Sequence, residues 1–239
     1  DSNGTLLDKW DDQGDGEGEF KTMGFGGLAI DSNDYVFVVD NENYRIQKFD
    51  KDGNFITQWG TKGTENSQFV RAIGIAIDSS GHVYVTDDGN PFVQKFDNDG
   101  KFIMRFGGPG DGDGGFSHAT GIAVDVNGNI FVSDYETKFV QKFDAEGVFI
   151  TSWKMGEDVG KVGTPEGIAV DEEGRVYVTD YDLGRIQVFD NDGGFLWAMG
   201  GDALGAYSLK HPTAIAFDAD GNLVVVNQLT AKLTLVTWP

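Results

Sequence analysis

Two of the three histidines, His118 and His211, each stand seven residues before an aspartate, Asp125 and Asp218. The same register before Asp31, Asp78 and Asp171 holds Gly24, Arg71 and Thr164. A neutral imidazole pair near carboxylates can ligate a divalent metal. Arg71 can pair with a carboxylate or meet an anionic ligand. Glu166 stands five residues before Asp171, where the other registers hold Gly26, Ile73, Thr120 and Thr213. A half-buried carboxylate there would have a raised pKa and could act as a base. A second series, Asp40, Asp87, Asp134 and Asp180 with Asn227, offers oxygens able to hold a cation or grip a basic side chain. Its presence in every register favours bracing, each Asp accepting N–H groups of its own loop. Two acidic, glycine-rich stretches, 11–20 and 107–116, could wrap oxygens round calcium, with Asp111 and Asp113 as ligands. The plainer reading is a solvated acidic turn.

Missing motifs narrow the chemistry. No Gly-x-Ser-x-Gly, Walker, dinucleotide or His-Glu-x-x-His pattern occurs. The absence of cysteine excludes disulfides, thiolate catalysis and Cys-ligated metal. Acidic residues outnumber basic ones 39 to 18, a formal charge of −21. Such a surface repels phosphate backbones and anionic headgroups, so no nucleic-acid partner and no membrane insertion are expected. A basic protein or peptide suits it better. The longest apolar runs are only a few residues, so neither a signal peptide nor a spanning segment is expected. The expected location is extracellular or at the cell surface. No cofactor is required by these residues, and calcium is the one they admit.

The elements that position these residues come from a repeat. GGLAID at 26–31, IGIAID at 73–78, TGIAVD at 120–125, EGIAVD at 166–171 and TAIAFD at 213–218 end in aspartates spaced by 46 or 47 residues. Each is followed by a second run such as HVYVTD, a third such as FVQKFD, and a fourth such as KFIMRF. Turn residues such as SSG and NDG separate them. Short alternating or β-branched runs between turns predict antiparallel strands, here a, b, c and d, with almost no helix. The DNDG strings at 97–100 and 190–193 lack the later Glu of a calcium loop and read as hairpin turns. Four strands per unit at this period fit a propeller blade.

The pattern GIAVD, VYVTD, IQKFD, then a Gly-turn and an aromatic strand, resembles the NHL repeat family over nearly the whole chain. The resemblance implies a toroidal propeller, most often of six blades. Family members include binding modules, sensor domains, RNA-binding domains and lyases. The lyase pattern, with histidine directly after the proline that precedes strand a, is not met. Glu166 and Thr213 occupy those slots after Pro165 and Pro212. Lactonase-like propellers hold a channel calcium with Glu, Asn and Asp, types that Glu166 and Asn227 supply.

The expected fold is therefore all-β, a propeller of four-stranded antiparallel blades. Five blades are expected in one domain over 1–239, with repeats near 20–66, 67–113, 114–160, 161–206, and 207–239 plus 1–19. The last repeat stops after strand c, and NGTLLDKW at 3–10 reads as its strand d. Trp10 precedes Phe20 by the spacing that separates Trp59 from Phe69 and Phe106 from Phe116. The d–a and b–c loops then share one face, called the top. The expected function is a non-catalytic scaffold binding a protein or ligand through that face. A metal-dependent lyase or lactonase-like hydrolase at the channel mouth is the alternative.

Overall fold

The computed structural model describes residues 9, 12–21, 26–156, 163–201 and 209–237. Five consecutive antiparallel sheets follow the five repeats. In the first blade, strands a to d are Leu28–Ile30, Val36–Asp40, Arg45–Phe49 and Phe55–Trp59. The second comprises Ala72–Ile77, Val83–Asp87, Asn90–Phe96 and Phe102–Gly107. The third comprises Ala119–Val124, Ile130–Asp134, Phe139–Phe143 and Phe149–Lys154. The fourth comprises Pro165–Val170, Val176–Asp180, Arg185–Phe189 and Phe195–Gly200. The fifth has a, b and c at Pro212–Phe217, Leu223–Asn227 and Lys232–Val236. The N-terminal strand expected to complete it, with Trp10, lies outside the described residues, as does Gly24. Among the described residues there is no α-helix, only a 3-10 turn at Asn41–Asn43. No helix among them is long and apolar enough to cross a membrane.

The hairpins form because each strand-ending Asp organises its own turn. Asp78 accepts the N–H groups of Ser80 and His82, and Asp97 those of Asp99 and Lys101. Asp125, Asp144, Asp190 and Asp218 do the same. The DNDG strings are thus hairpin turns, as expected.

The core lies between blades, not within them. One face of each blade presents large side chains from strands b and c, and these meet strands a and b of the next. Phe37, Val39 and Ile46 pack on Ile75, Val83 and Val85. Ala76, Tyr84 and Val93 pack on Ile122, Ile130 and Val132. Ala123, Phe131 and Val140 pack on Ile168, Val176 and Val178. Ala169, Tyr177 and Ile186 pack on Ile215, Leu223 and Val225. Period-2 alternation makes this possible, because successive side chains serve opposite seams.

At the inner end of each seam the backbones touch. Gly74 lies so close to Thr120 O that a Cβ would stand 2.4 Å from it, and Gly121 meets Glu166 O in the same way. Farther out, a strand-c lysine reaches the c–d turn of the next blade. Lys48 donates to Asn98, Lys95 to Ala145 O, and Lys142 to Asn191. Each is buried and lies over a ring, Tyr35, Tyr84 or Phe131. Strand-c glutamines latch the d–a loops: Gln94 bonds Ser67 and Gln68, and Gln141 bonds Gly114 and Gly115. Gln47 bonds Gly18 and Glu19 in the same manner, so residues 12–20 are built as a d–a loop leading into the first blade.

Candidate top-face site

The strand-b aspartates are consumed by the scaffold. Asp87 accepts the N–H groups of Val70, Arg71 and Gly89. Asp134 accepts those of Ser117, His118, Glu136 and Thr137. Asp180 accepts the N–H groups of Thr164 and Leu183, plus Arg185 and Gln187 side chains. Asp40 accepts from Asn43, Arg45 and Gln47, and Asn227 Oδ1 from Lys210 N. All five residues are buried. Burial pushes the Asp87 carboxyl up, against the pull of its N–H donors. Asp87, Asp134 and Asp180 thereby hold the b–c loop to the d–a loop of the same blade.

That clamp fixes two registers side by side, buried at Asp88 and Thr164 and open to solvent at Arg71, His118 and Gln228. In blades two to five the residue after the strand-b Asp or Asn donates its N–H to the residue seven before strand a's Asp. Asp88 N bonds Arg71 O, Tyr135 N bonds His118 O, Tyr181 N bonds Thr164 O, and Gln228 N bonds His211 O. The side chains then meet across seams as well. Asp88 pairs with the Arg71 guanidinium and lies 3.8 Å from His118 Nδ1 of the next blade. The Tyr181 ring packs at a tilt of 38° against His211 of the next blade, ring centroids 4.4 Å apart. His211 takes a left-handed φ of 49° just before Pro212.

Between these pairs, at the seam of blades three and four, lies the most varied cluster. Lys138 Nζ sits 4.4 Å over the Tyr135 ring and donates to Thr164 Oγ1 at 3.2 Å. The Thr164 hydroxyl donates to Asp182 Oδ2. Glu166 is half-buried here, within electrostatic reach of Lys138 and Asp182. Burial pushes its carboxyl up to about 7; Lys138 works against the shift and Asp182 adds to it. Glu166 is thus poised to exchange a proton near neutrality.

Of the residues singled out by register, Arg71, His118, Glu166 and His211 reach this face. His118 and His211 are held at different seams, with the Glu166 cluster between them. His82 bonds Asp78 at the a–b hairpin on the opposite face. Asp111 and Asp113 are exposed in the loop before blade three. Among the described residues no group of three or more His, Asp and Glu is arranged to hold a metal ion. Register reasoning passed over Asp88, Tyr135, Lys138, Tyr181 and Asp182. For Asp88, Tyr135 and Tyr181 the signal was available: the position after the strand-b Asp or Asn reads Asn41, Asp88, Tyr135, Tyr181 and Gln228, four residue types in five blades.

The NHL repeat family model matches residues 69–96, 116–143 and 163–189. No curated protein matches the sequence. Among solved structures, the chain is similar to a catalytically inactive virginiamycin B lyase from Staphylococcus aureus with quinupristin. The identity is 17%, the TM-score 0.68, and the match covers 92% of this chain and 69% of that one. It is similar to a chain of a nidogen/laminin complex at 19% identity and TM-score 0.69, over 88% and 74% of the two chains. A gluconolactonase from Xanthomonas campestris matches at 17% identity and TM-score 0.63, over 87% and 71%. At these identities the likeness is one of fold. Three blades that match the repeat model, within five of a single design, make this chain an NHL-repeat β-propeller.

Proposed function

We propose that the chain is a non-catalytic scaffold that binds a protein or peptide through its top face, centred on the seam of blades three and four. The supporting observation is a contrast. The residues common to every blade spend their polar atoms on bracing. The residues that differ (Arg71, Asp88, His118, Tyr135, Glu166, Tyr181, Asp182 and His211) gather where the loops open. Side chains presented on a rigid frame are the usual material of recognition, and tyrosines offer large contact area at small entropic cost. The charge of −21 favours a basic partner by steering.

The test is a displayed peptide library sorted on the purified protein. The selected peptide should lose at least about tenfold in affinity, ~1.4 kcal/mol, when Tyr135 and Tyr181 are both changed to Ala. His82→Ala, on the far face, should leave binding unchanged. Equal binding by all three proteins would sink the top-face assignment. A second reading rests on Glu166, whose carboxyl near 7 suits a general base in a lactonase-like or lyase reaction. Turnover of a lactone series that is abolished by Glu166→Gln would favour it.

A further inference from the structure

Lys138 stands where the backbone favours a different residue. It is the fourth residue after the strand-b aspartate Asp134. At that slot the b–c loop turns left-handed, with φ of 58° at Tyr44, 66° at Lys138, 61° at Gly184 and 50° at Ala231. Glycine meets this conformation without strain, and the fourth blade uses it. The loop asks nothing of the lysine side chain: Lys138 N–H donates to Asp134 O, and Lys138 O accepts from Met155 N–H, bonds that any residue could make.

The side chain instead delivers an ammonium to the seam of blades three and four. Its Nζ lies over the face of the Tyr135 ring and donates to Thr164 Oγ1, whose hydroxyl donates to Asp182. Burial and the like charge of Asp182 press on Glu166, and Lys138 opposes them. Two carboxylates therefore share one ammonium. Desolvation, then Asp182, Glu166, Tyr181 and Glu136, hold the Tyr135 hydroxyl above its ordinary pKa, so these groups lie within reach of one another.

We propose, resting on the top-face reading above, that this seam receives an arginine or lysine side chain of the partner, with Lys138 as its built-in competitor. By occupying the place, Lys138 shows that an aromatic face, a hydroxyl and a carboxylate converge as a cation requires. An incoming cation meets the same ring face, the Thr164 oxygen and a pair of carboxylates that one ammonium does not balance. A guanidinium can lie flat on the ring and still reach a carboxylate with its forked donors. Lys138 leaves on a flexible stem while its backbone bonds stay. Its presence lowers the apparent affinity by the fraction of time the place is vacant, so a partner must bring further contacts of its own.

The experiment titrates Ac-Gly-Gly-X-Gly-Gly-amide peptides into the 239-residue chain, with arginine, lysine, citrulline or norleucine at X, and follows the amide resonances of Thr164 and Tyr181. The arginine and lysine peptides should bind, and the two neutral ones should not. Lys138→Gly should tighten the arginine peptide at least about fivefold, the scale of one cation–π contact. Should that variant fail to fold, Lys138→Asn, which also accepts a left-handed φ, replaces it. Asp182→Asn added to either should reverse the gain. Lys101→Ala, which removes the same charge from an exposed c–d turn on the opposite face, should change nothing. Equal binding of the arginine and citrulline peptides would overturn the proposal. So would equal affinity with and without Lys138, or tightening by Lys101→Ala as large as by Lys138→Gly. The two readings fail separately. A library-selected peptide that needs Tyr135 and Tyr181 but tolerates citrulline or norleucine at every basic position keeps the top face and overturns the basic anchor. One indifferent to both tyrosines removes the top face, and the anchor with it.

Discussion

Glu166 shows how one residue departs from its repeat. Four blades place Gly26, Ile73, Thr120 or Thr213 at this register, and the fourth places a carboxylate in a half-buried setting. Its folded pKa, about 7, lies above the unfolded value near 4.3. The folded state therefore holds a proton that the unfolded state has released, and stability falls as pH rises from about 4.5 to 7. Glu166→Gln should be close to neutral near pH 4 and stabilising at pH 8 by roughly 1–3 kcal/mol, the scale of that upward shift after screening. Urea melts at the two pH values check this, and an equal effect at both would place Glu166 in solvent. The residue was legible in the sequence as a break in pattern, and so were Arg71, His118 and His211. Tyr135, Tyr181 and Asp182 were not legible there, because they stand beside a strand-b aspartate whose repetition masks the variation next to it. Repeated polar residues here are structural, and the variable neighbours face the solvent.

At the scale of elements, strands and turns were readable because their determinants are local. Alternation sets which side chain faces which seam, and an Asp two residues before a backbone N–H sets each hairpin. The seams depend on a contact that no local pattern reveals. Gly121 has no turn to form; it is needed because Glu166 O of the next blade lies where its Cβ would be, 2.3 Å away. Gly121→Ala should force that seam apart and destabilise by ~1–3 kcal/mol, the range for overpacking a close contact. Thermal unfolding measures it, and an unchanged midpoint would mean the seam is more yielding than drawn. The lysines show the same limit. In the sequence Lys48, Lys95 and Lys142 read as solvated charges on strand c. In the fold each ammonium lies over an aromatic ring and also donates to the neighbouring turn, a cation–π contact joined to a hydrogen bond. The fourth blade replaces this staple with Val188 and the fifth with Leu235.

At the scale of the molecule, five repeats and their order could be counted directly, while the state of the first and last faces could not. Periodicity reports that blades are alike, and it is silent on whether the ends of the series meet. The difference appears only as exposure of Leu28 and Leu233, where interior equivalents such as Ile75 and Ile46 are buried. Because each blade leans on its neighbours, stability is a sum of blade and seam contributions. Among the described residues the first and fifth blades each share one seam, and the third shares two. Hydrogen exchange should therefore be faster in Val36–Asp40 and Leu223–Asn227 than in Ile130–Asp134, by at least about tenfold in protection, ~1.4 kcal/mol. Uniform protection along the chain would mean the whole array opens as one unit.

The sharing of each core between two blades also bears on descent. The unit that is copied is one blade, but the unit that folds around a hydrophobic interior is half of one blade and half of the next. The two are out of phase. A tandem duplication or loss of about 47 residues therefore cuts through no core and invents no new kind of surface, since it joins a familiar half to a familiar half. Such a gene can lengthen or shorten by whole repeats while every interior seam stays of the type already present, and the novelty is confined to the place where the ring is closed or left open.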